Sequence, residues 1–437
     1  MTAVLDPTCA LARVSGDDLR VPLVQGGTRD YANFDYAASA PALAQVADRV
    51  AGLLPYYASV HRGAGYASRI STRCYEVARE TVRGFLHCAA DQEVVFTRNT
   101  TDALNLLAGC VPGETVVLDI EHHANFLPWS RRGRRVVSAA DTLAATIDRV
   151  AAELRAKPAA LLAVTGASNV TGEVLPLAEL TALAHRHGAR IVVDAAQLAP
   201  HRRIDLCATG IDYVVFSGHK LYAPFGAGVL AGRRDWLDAA PPYLAGGGAV
   251  AEVTAETAVW AAAPHRHEAG SPNVLGAAAL AAACDVLAEF GTSADAQERA
   301  LTDRLRSGLE GIAGVRCLRI WADSPDCVGI VAFTVDGFEA GRVAAYLSAE
   351  HAIGVRDGRF CAHPLLARFG IDAALRASIG LGTTAADIDR LLDAVRSLVA
   401  GGPQWSYACS DGRWDPVPET RPGLVAGAAP GAAPCTI

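Results

Sequence analysis

An apolar run, Val214-Val215-Phe216, passes directly into Ser217-Gly218-His219-Lys220 and then into a Pro224-Phe225-Gly226 loop. A lysine at the mouth of such a strand is partly desolvated, which lowers its pKa and frees a neutral amine able to condense with a carbonyl. One strand–helix–strand unit upstream, Ile191-Val192-Val193 ends in Asp194. Alone, Lys220 reads as a surface residue of a turn and Asp194 as a helix cap. Together they supply what pyridoxal phosphate needs. An amine holds its aldehyde, and a carboxylate keeps its pyridine nitrogen protonated so that the ring accepts carbanion electrons.

The elements that must position this pair alternate regularly. Short β-branched runs predict strands at 93–97, 115–119, 160–165, 191–194, 213–217 and 228–230. Helical patterns lie between them, among them 101–107 and 176–187, the latter opening at Pro176 where a helix tolerates proline. This order implies an α/β fold with a mostly parallel sheet covered on both faces, its functional residues at the carboxyl ends of the strands. A Gly/Pro/Ala-rich stretch at 239–263 interrupts the alternation. Two long helices (272–290 and 295–312), a strand (328–335) and helices at 340–350 and 384–399 then read as a smaller α+β domain. The expected division is an arm at 1–30, a large cofactor-binding domain at 31–265, a small domain at 266–400 and a tail at 401–437. The tail carries Trp405 and Trp414 before dissolving into Pro, Gly and Ala, and its end is expected to be disordered.

Composition narrows the class. The 437 residues are 51% hydrophobic, and the net charge is −7 with the signs mixed, which argues against an electrostatic nucleic-acid binder. The most apolar stretch, 275–290, is interrupted by Asp285 and Glu289 and reads as a buried helix rather than a membrane span. Asp6, Arg13, Asp17 and Asp18 leave the start without the apolar centre of a signal peptide, so a cytoplasmic protein is expected. The 11 cysteines are odd in number and contain no CxxC pair, which suggests neither a disulfide framework nor a metal site.

Further stretches carry a resemblance: Phe34-Asp35-Tyr36-Ala37-Ala38-Ser39-Ala40-Pro41, Val60-His61-Arg62-Gly63, and Thr97-Arg98-Asn99-Thr100-Thr101-Asp102. To these belong Glu121-His122-His123-Ala124-Asn125, Ser168-Asn169-Val170-Thr171-Gly172 and Ala269-Gly270-Ser271-Pro272-Asn273. With the Asp194 and Lys220 segments, the chain resembles the class V, fold-type I enzymes that use pyridoxal phosphate, over roughly residues 32–400. Within them it is most similar to SUF-type cysteine desulfurases and selenocysteine lyases. The resemblance implies that Thr100, Thr101, Ser217 and His219 bind the phosphate, where a helix N-terminus favours an anion. It implies that His122 stacks on the pyridine ring and handles protons, with Asn169 and Gln197 on the phenolic-oxygen side. Ser271 matches a residue that reaches the phosphate of a neighbouring subunit, which implies a homodimer.

Downstream, Arg356-Asp357-Gly358-Arg359-Phe360-Cys361-Ala362-His363-Pro364-Leu365 resembles the family segment whose cysteine receives sulfur. Arg356 and Arg359 would favour the attacking thiolate. Arg376 matches the arginine that grips the substrate carboxylate, with Arg356, Ala38 and Arg62 as further substrate-side residues. The implied reaction converts L-cysteine to L-alanine, leaves a persulfide on Cys361 and hands the sulfur to an acceptor protein. Two departures bear on substrate and acceptor: Arg359-Phe360 replace the family's histidines, and Gly382-Thr383-Thr384 replace Tyr-Asn-Thr. The alternative is another class V activity, such as a C–S lyase, selenocysteine lyase, epimerase or aminotransferase, with Cys361 not a sulfur acceptor. A third reading, docking of a partner through the arm or tail, would be tested by deleting 421–437.

Overall fold

The computed structural model describes residues 9–422. Seven strands form the central sheet, in the order Gln92–Thr97, Gly228–Arg233, Tyr213–Ser217, Arg190–Asp194, Leu161–Thr165, Thr115–Leu118, Arg134–Val137. Only Gly228–Arg233 runs antiparallel to its neighbours. Leu161–Thr165 and Tyr213–Ser217 are buried at every position, as strands covered on both faces must be. Side chains alternate between the faces with the two-residue period of a strand. Val116, Val164, Val193 and Val214 pack into one core cluster, and Val117, Ala163, Val192 and Val215 into another. Each fully buried valine contributes about 1.5–3 kcal/mol. The expected strands recur to within about three residues, the largest difference being Gly228–Arg233, expected to end at 230. Arg134–Val137 is an addition, hidden in the sequence because two arginines open it at the sheet edge.

Val274–Glu310 comprises two helices that meet at Gly291, whose φ of 51° and ψ of −136° are not helical. Val274–Gly291 is long and apolar enough to cross a membrane, yet it packs inward. Val274, Ala277 and Ala281 meet Leu53, Tyr75 and Ala78, while Leu280 and Cys284 join the main core.

The second sheet is antiparallel, in the order Val315–Cys317, Ile330–Val335, Ala374–Ser378, Arg356–Gly358. Leu305 and Leu309, Val343 and Leu347, and Ile388 and Leu391 cover it from three helices. The last of these, Ala385–Gly401, starts at a capping box between Thr384 and Asp387. Ala32–Asn33 pairs in parallel with Ile353–Gly354 in a separate two-stranded sheet, and Asp35 bridges to Ser378, so the chain touches the second sheet before building the large one. The N-terminal segment is wrapped onto the molecule: the amides of Leu11 and Ala12 both donate to the Leu381 carbonyl.

The first part of the tail, for which no element was expected, is ordered. Ser406–Ser410 and Arg413–Val417 form an antiparallel hairpin. Glu350, on the helix Ala340–His351, accepts the amides of Gln404 and Trp405 at 3.0 and 3.1 Å and the Tyr407 hydroxyl at 2.8 Å. A buried carboxylate and a set of aromatic side chains therefore order a segment whose local composition reads as loop. The Pro/Gly/Ala end expected to be disordered lies outside the described residues.

Candidate active site

A cavity of about 500 Å³ opens at the carboxyl edge of the large sheet and is closed by the small domain's Arg356–Cys361 loop and Arg376. It gathers Ala38, Thr100, Thr101, His122 and Asn169 with Asp194, Gln197, Ser217, His219 and Lys220. These come from segments far apart in sequence.

Asp194 and Ser217 end adjacent parallel strands, with Asp194 beside Val215 in register. Beyond Ser217 the chain turns at once: the Gly218 amide donates to Ala227 O, and the Lys220 amide to Ser217 O. A Cβ at position 218 would lie 2.9 Å from Ala223 O and 3.0 Å from Ala227 O, so only glycine allows this turn. Lys220 consequently enters the cavity from the strand end. Burial pushes its pKa down to about 8, against the opposing attraction of Asp194. Burial likewise raises the Asp194 carboxyl, opposed by the Ala196 amide, which it accepts at 3.0 Å, and by Lys220.

The helix Thr100–Cys110 points its N-terminus into the same space. Asn99 caps it by accepting the Asp102 amide, and Ser217 Oγ accepts the Thr100 amide at 2.7 Å. Thr100 Oγ1 and Ser217 Oγ are 2.6 Å apart. A Cβ on Gly228 would lie 2.6 Å from Asn99 Cα, so this glycine admits the close approach of the helix start to the sheet. Two hydroxyls and the positive end of a helix form a cradle suited to a phosphate dianion. Burial lowers the neighbouring His219 to about 4.

His122 lines the next wall. Its Nδ1 accepts the Ala124 amide at 3.0 Å, and burial with the nearby Lys220 charge lowers its pKa to about 3. The ring is therefore neutral, with its proton on Nε2. Glu121, which the sequence reading passed over, is buried behind it. Its Oε2 accepts Asn125 Nδ2 at 2.7 Å and its Oε1 accepts the Thr165 amide at 3.0 Å. An acid beside two histidines reads as solvated in sequence; only the packing reveals its burial.

Gln197 donates to the Ala37 carbonyl at 2.7 Å. Its Oε1 is buried without a protein partner among the described residues. An orphaned acceptor, a depressed lysine, a buried carboxylate and an anion cradle around one cavity fit pyridoxal phosphate. Asn169 is more committed than expected: Nδ2 donates to the Phe360 carbonyl and its own carbonyl accepts Arg376 Nη1, both at 2.7 Å.

Arg376, on the strand Ala374–Ser378, is 3% exposed, and burial lowers its pKa to about 10. Its Nη2 lies 3.4 Å from Asp35 Oδ1, and Arg356 pairs with it across the sheet. Cys361 lies in the wall near Lys220 and Arg376, both of which feel its charge. Arg359, expected beside the thiolate, lines this end, as do Phe360 and Asp357, which no candidate assignment included.

Arg62 and Ser271 are not brought into this cavity. Both are exposed, on segments that approach the loop around Gly247. The Arg62 guanidinium lies against Gly247 and Gly248, and the Gly270 amide donates to Gly247 O. This region is anchored from within by Arg79, which grips Glu268 through two bonds of 2.8 Å.

The class-V aminotransferase family model matches residues 32–391. The chain is 37% identical over 382 residues to a cysteine desulfurase of Dickeya dadantii, covering 84% of this chain and 92% of that protein. To a cysteine desulfurase of Synechococcus elongatus it is 36% identical over 385 residues, 84% of this chain but 60% of that longer protein. The apo structure of a cysteine desulfurase from Thermococcus onnurineus NA1 superposes with a TM-score of 0.80 at 31% identity, covering 89% of this chain and 99% of that one. With its mostly parallel sheet, its Lys220–Asp194 pair and these relatives, the chain belongs to the class-V aminotransferase family.

Proposed function

We propose that the protein is a pyridoxal-phosphate-dependent L-cysteine desulfurase that releases L-alanine and retains the sulfur as a persulfide on Cys361. The observation that carries this reading is the convergence of Lys220, Arg376 and Cys361 on one cavity. Desulfurase relatives at 35–37% identity over most of the chain support it.

In this reading Lys220 and Asp194 hold the two ends of the cofactor ring, and Thr100, Thr101, Ser217 and His219 hold its phosphate. Gln197 and Asn169 lie on the phenolic-oxygen side. When bound, the cofactor supplies an electron sink for the substrate's α-carbon. Arg376 orients the substrate through its carboxylate, with Arg356 and Ala38 at the pocket edge. The neutral His122 presents an Nε2 proton at the ring face, and Lys220, near its pKa at neutral pH, carries protons to and from the α-carbon. The Cys361 thiolate bonds to the substrate sulfur as the carbon–sulfur bond breaks, and the carbon skeleton leaves as L-alanine after taking up a proton.

Arg62 and Ser271 belong to a homodimer in this reading, reaching a second copy. The exposed Tyr57, Tyr66, Leu244 and Val259, on segments adjoining them, support such pairing. The proposed division is the arm 1–30, the domains 31–265 and 266–400, and the tail 401–437. A cytoplasmic enzyme that passes its sulfur to an acceptor protein completes the proposal. Intact-mass and peptide analysis after exposure to L-cysteine without reductant tests it: one added sulfur atom, mapped to Cys361 and lost on reduction, is expected. An unmodified Cys361 under turnover would contradict it.

A further inference from the structure

Phe360 stands where the resembling family carries a histidine, and its surroundings give it a definite task. The residue is 7% exposed, and its φ of 54° is followed by a φ of 51° at Cys361. Two consecutive side-chain-bearing residues in the left-handed region persist only where their surroundings hold them. Those holds are visible. Asn169 Nδ2 donates to the Phe360 carbonyl at 2.7 Å, and the Cys361 carbonyl accepts the His123 amide at 2.9 Å. The Phe360 ring lies 5.3 Å from the Arg376 guanidinium carbon, within range of a cation–π contact. Arg376 in turn donates to the Asn169 carbonyl at 2.7 Å. Phe360, Arg376 and Asn169 thus close a ring of contacts, and Cys361 is the next residue along the chain.

We infer that Phe360 is the positioning residue that ties the carboxylate clamp at Arg376 to the Cys361 loop. Its ring fixes the plane of the guanidinium, and its backbone fixes the turn that presents the thiol. The left-handed well is narrow, so a shift of the ring passes to Cys361 instead of being absorbed at a soft dihedral. The substrate class this favours is a small α-amino acid whose carboxylate and sulfur must be met together by one rigid unit. The inference rests on the proposed roles of Arg376 and Cys361.

The test compares F360L, which keeps apolar volume but removes the ring, with F360Y, which keeps the ring. The readout is the rate at which iodoacetamide alkylates Cys361 in the full-length, cofactor-loaded protein without substrate, followed by peptide mass spectrometry. F360L is expected to change this rate about three- to thirty-fold, the range a desolvated cation–π contact supports, while F360Y stays near wild type. R376K should change it in the same direction, and F360L/R376K no further than the larger single change, because the two residues act through one contact. In steady state F360L should raise KM for L-cysteine and lower kcat together, with the cofactor absorbance unchanged. If F360L does not accumulate, F360M carries the same prediction. Equal alkylation in F360L and F360Y, or additive effects of F360L and R376K, would overturn the inference. Persistence of desulfuration in C361A would instead overturn Cys361 as the sulfur acceptor on which this inference rests, and the alkylation comparison, which needs no turnover, would still decide the role of Phe360.

Discussion

His122 Nδ1 accepts the amide of Ala124, and this one bond settles where the ring keeps its proton. With a pKa lowered to about 3, His122 is neutral through the physiological range and offers an Nε2–H to the cavity. H122A should therefore load cofactor normally but lose kcat by about 10²–10⁴, the usual range for a lost proton-handling group. Cofactor absorbance and steady-state rates measured together check this; an undiminished kcat would remove His122 from the chemistry.

Lys220 sets a different pH dependence. Its pKa of about 8 means that the reactive neutral amine is the minor form below that pH and the major form above it. The rate at which apoprotein takes up pyridoxal phosphate should rise with pH and level off above about 8. K220A should show no covalent attachment after borohydride reduction.

Glu121 predicts a signature in stability. Burial and the Asp194 charge push it up to about 8 from 4.5, so the folded state holds a proton that the unfolded chain releases. Its contribution is complete below about 4.5 and is lost as pH rises through 8. Thermal unfolding of the apoprotein should show wild type losing stability relative to E121Q between about pH 5 and 8. Parallel curves would contradict the assignment.

Arg376 is held by Asn169 and Asp35 in a buried fork, a geometry that lysine does not reproduce. R376K should lower kcat/KM for L-cysteine by about 100-fold or more, since charge-assisted bonds contribute roughly 1.5–3 kcal/mol each. The loss should appear chiefly in KM, and cofactor spectra should be unchanged.

Much of the catalytic frame was legible in the sequence because it is local. Strands ending in Asp194 and Ser217 are continuous apolar runs, and the turn to Lys220 follows immediately. The contacts of Asn169 with Phe360 and Arg376 were not legible, because about 190 and 207 residues separate the partners and only the docking of two domains joins them. The terminal hairpin was hidden for a related reason: its order comes from Glu350, on a distant helix. Arg62 and Ser271 carry a family pattern, yet both lie outside the cavity lining, and nothing in local sequence separates a pocket wall from an outer corner.

The most direct test of the desulfurase account is a single assay of cofactor-loaded protein with L-cysteine and a thiol reductant, quantifying alanine and sulfide for wild type and C361A. Equal alanine and sulfide, abolished in C361A while cofactor absorbance is retained, is the predicted result. Pyruvate and sulfide without alanine, or undiminished alanine formation in C361A, would contradict it.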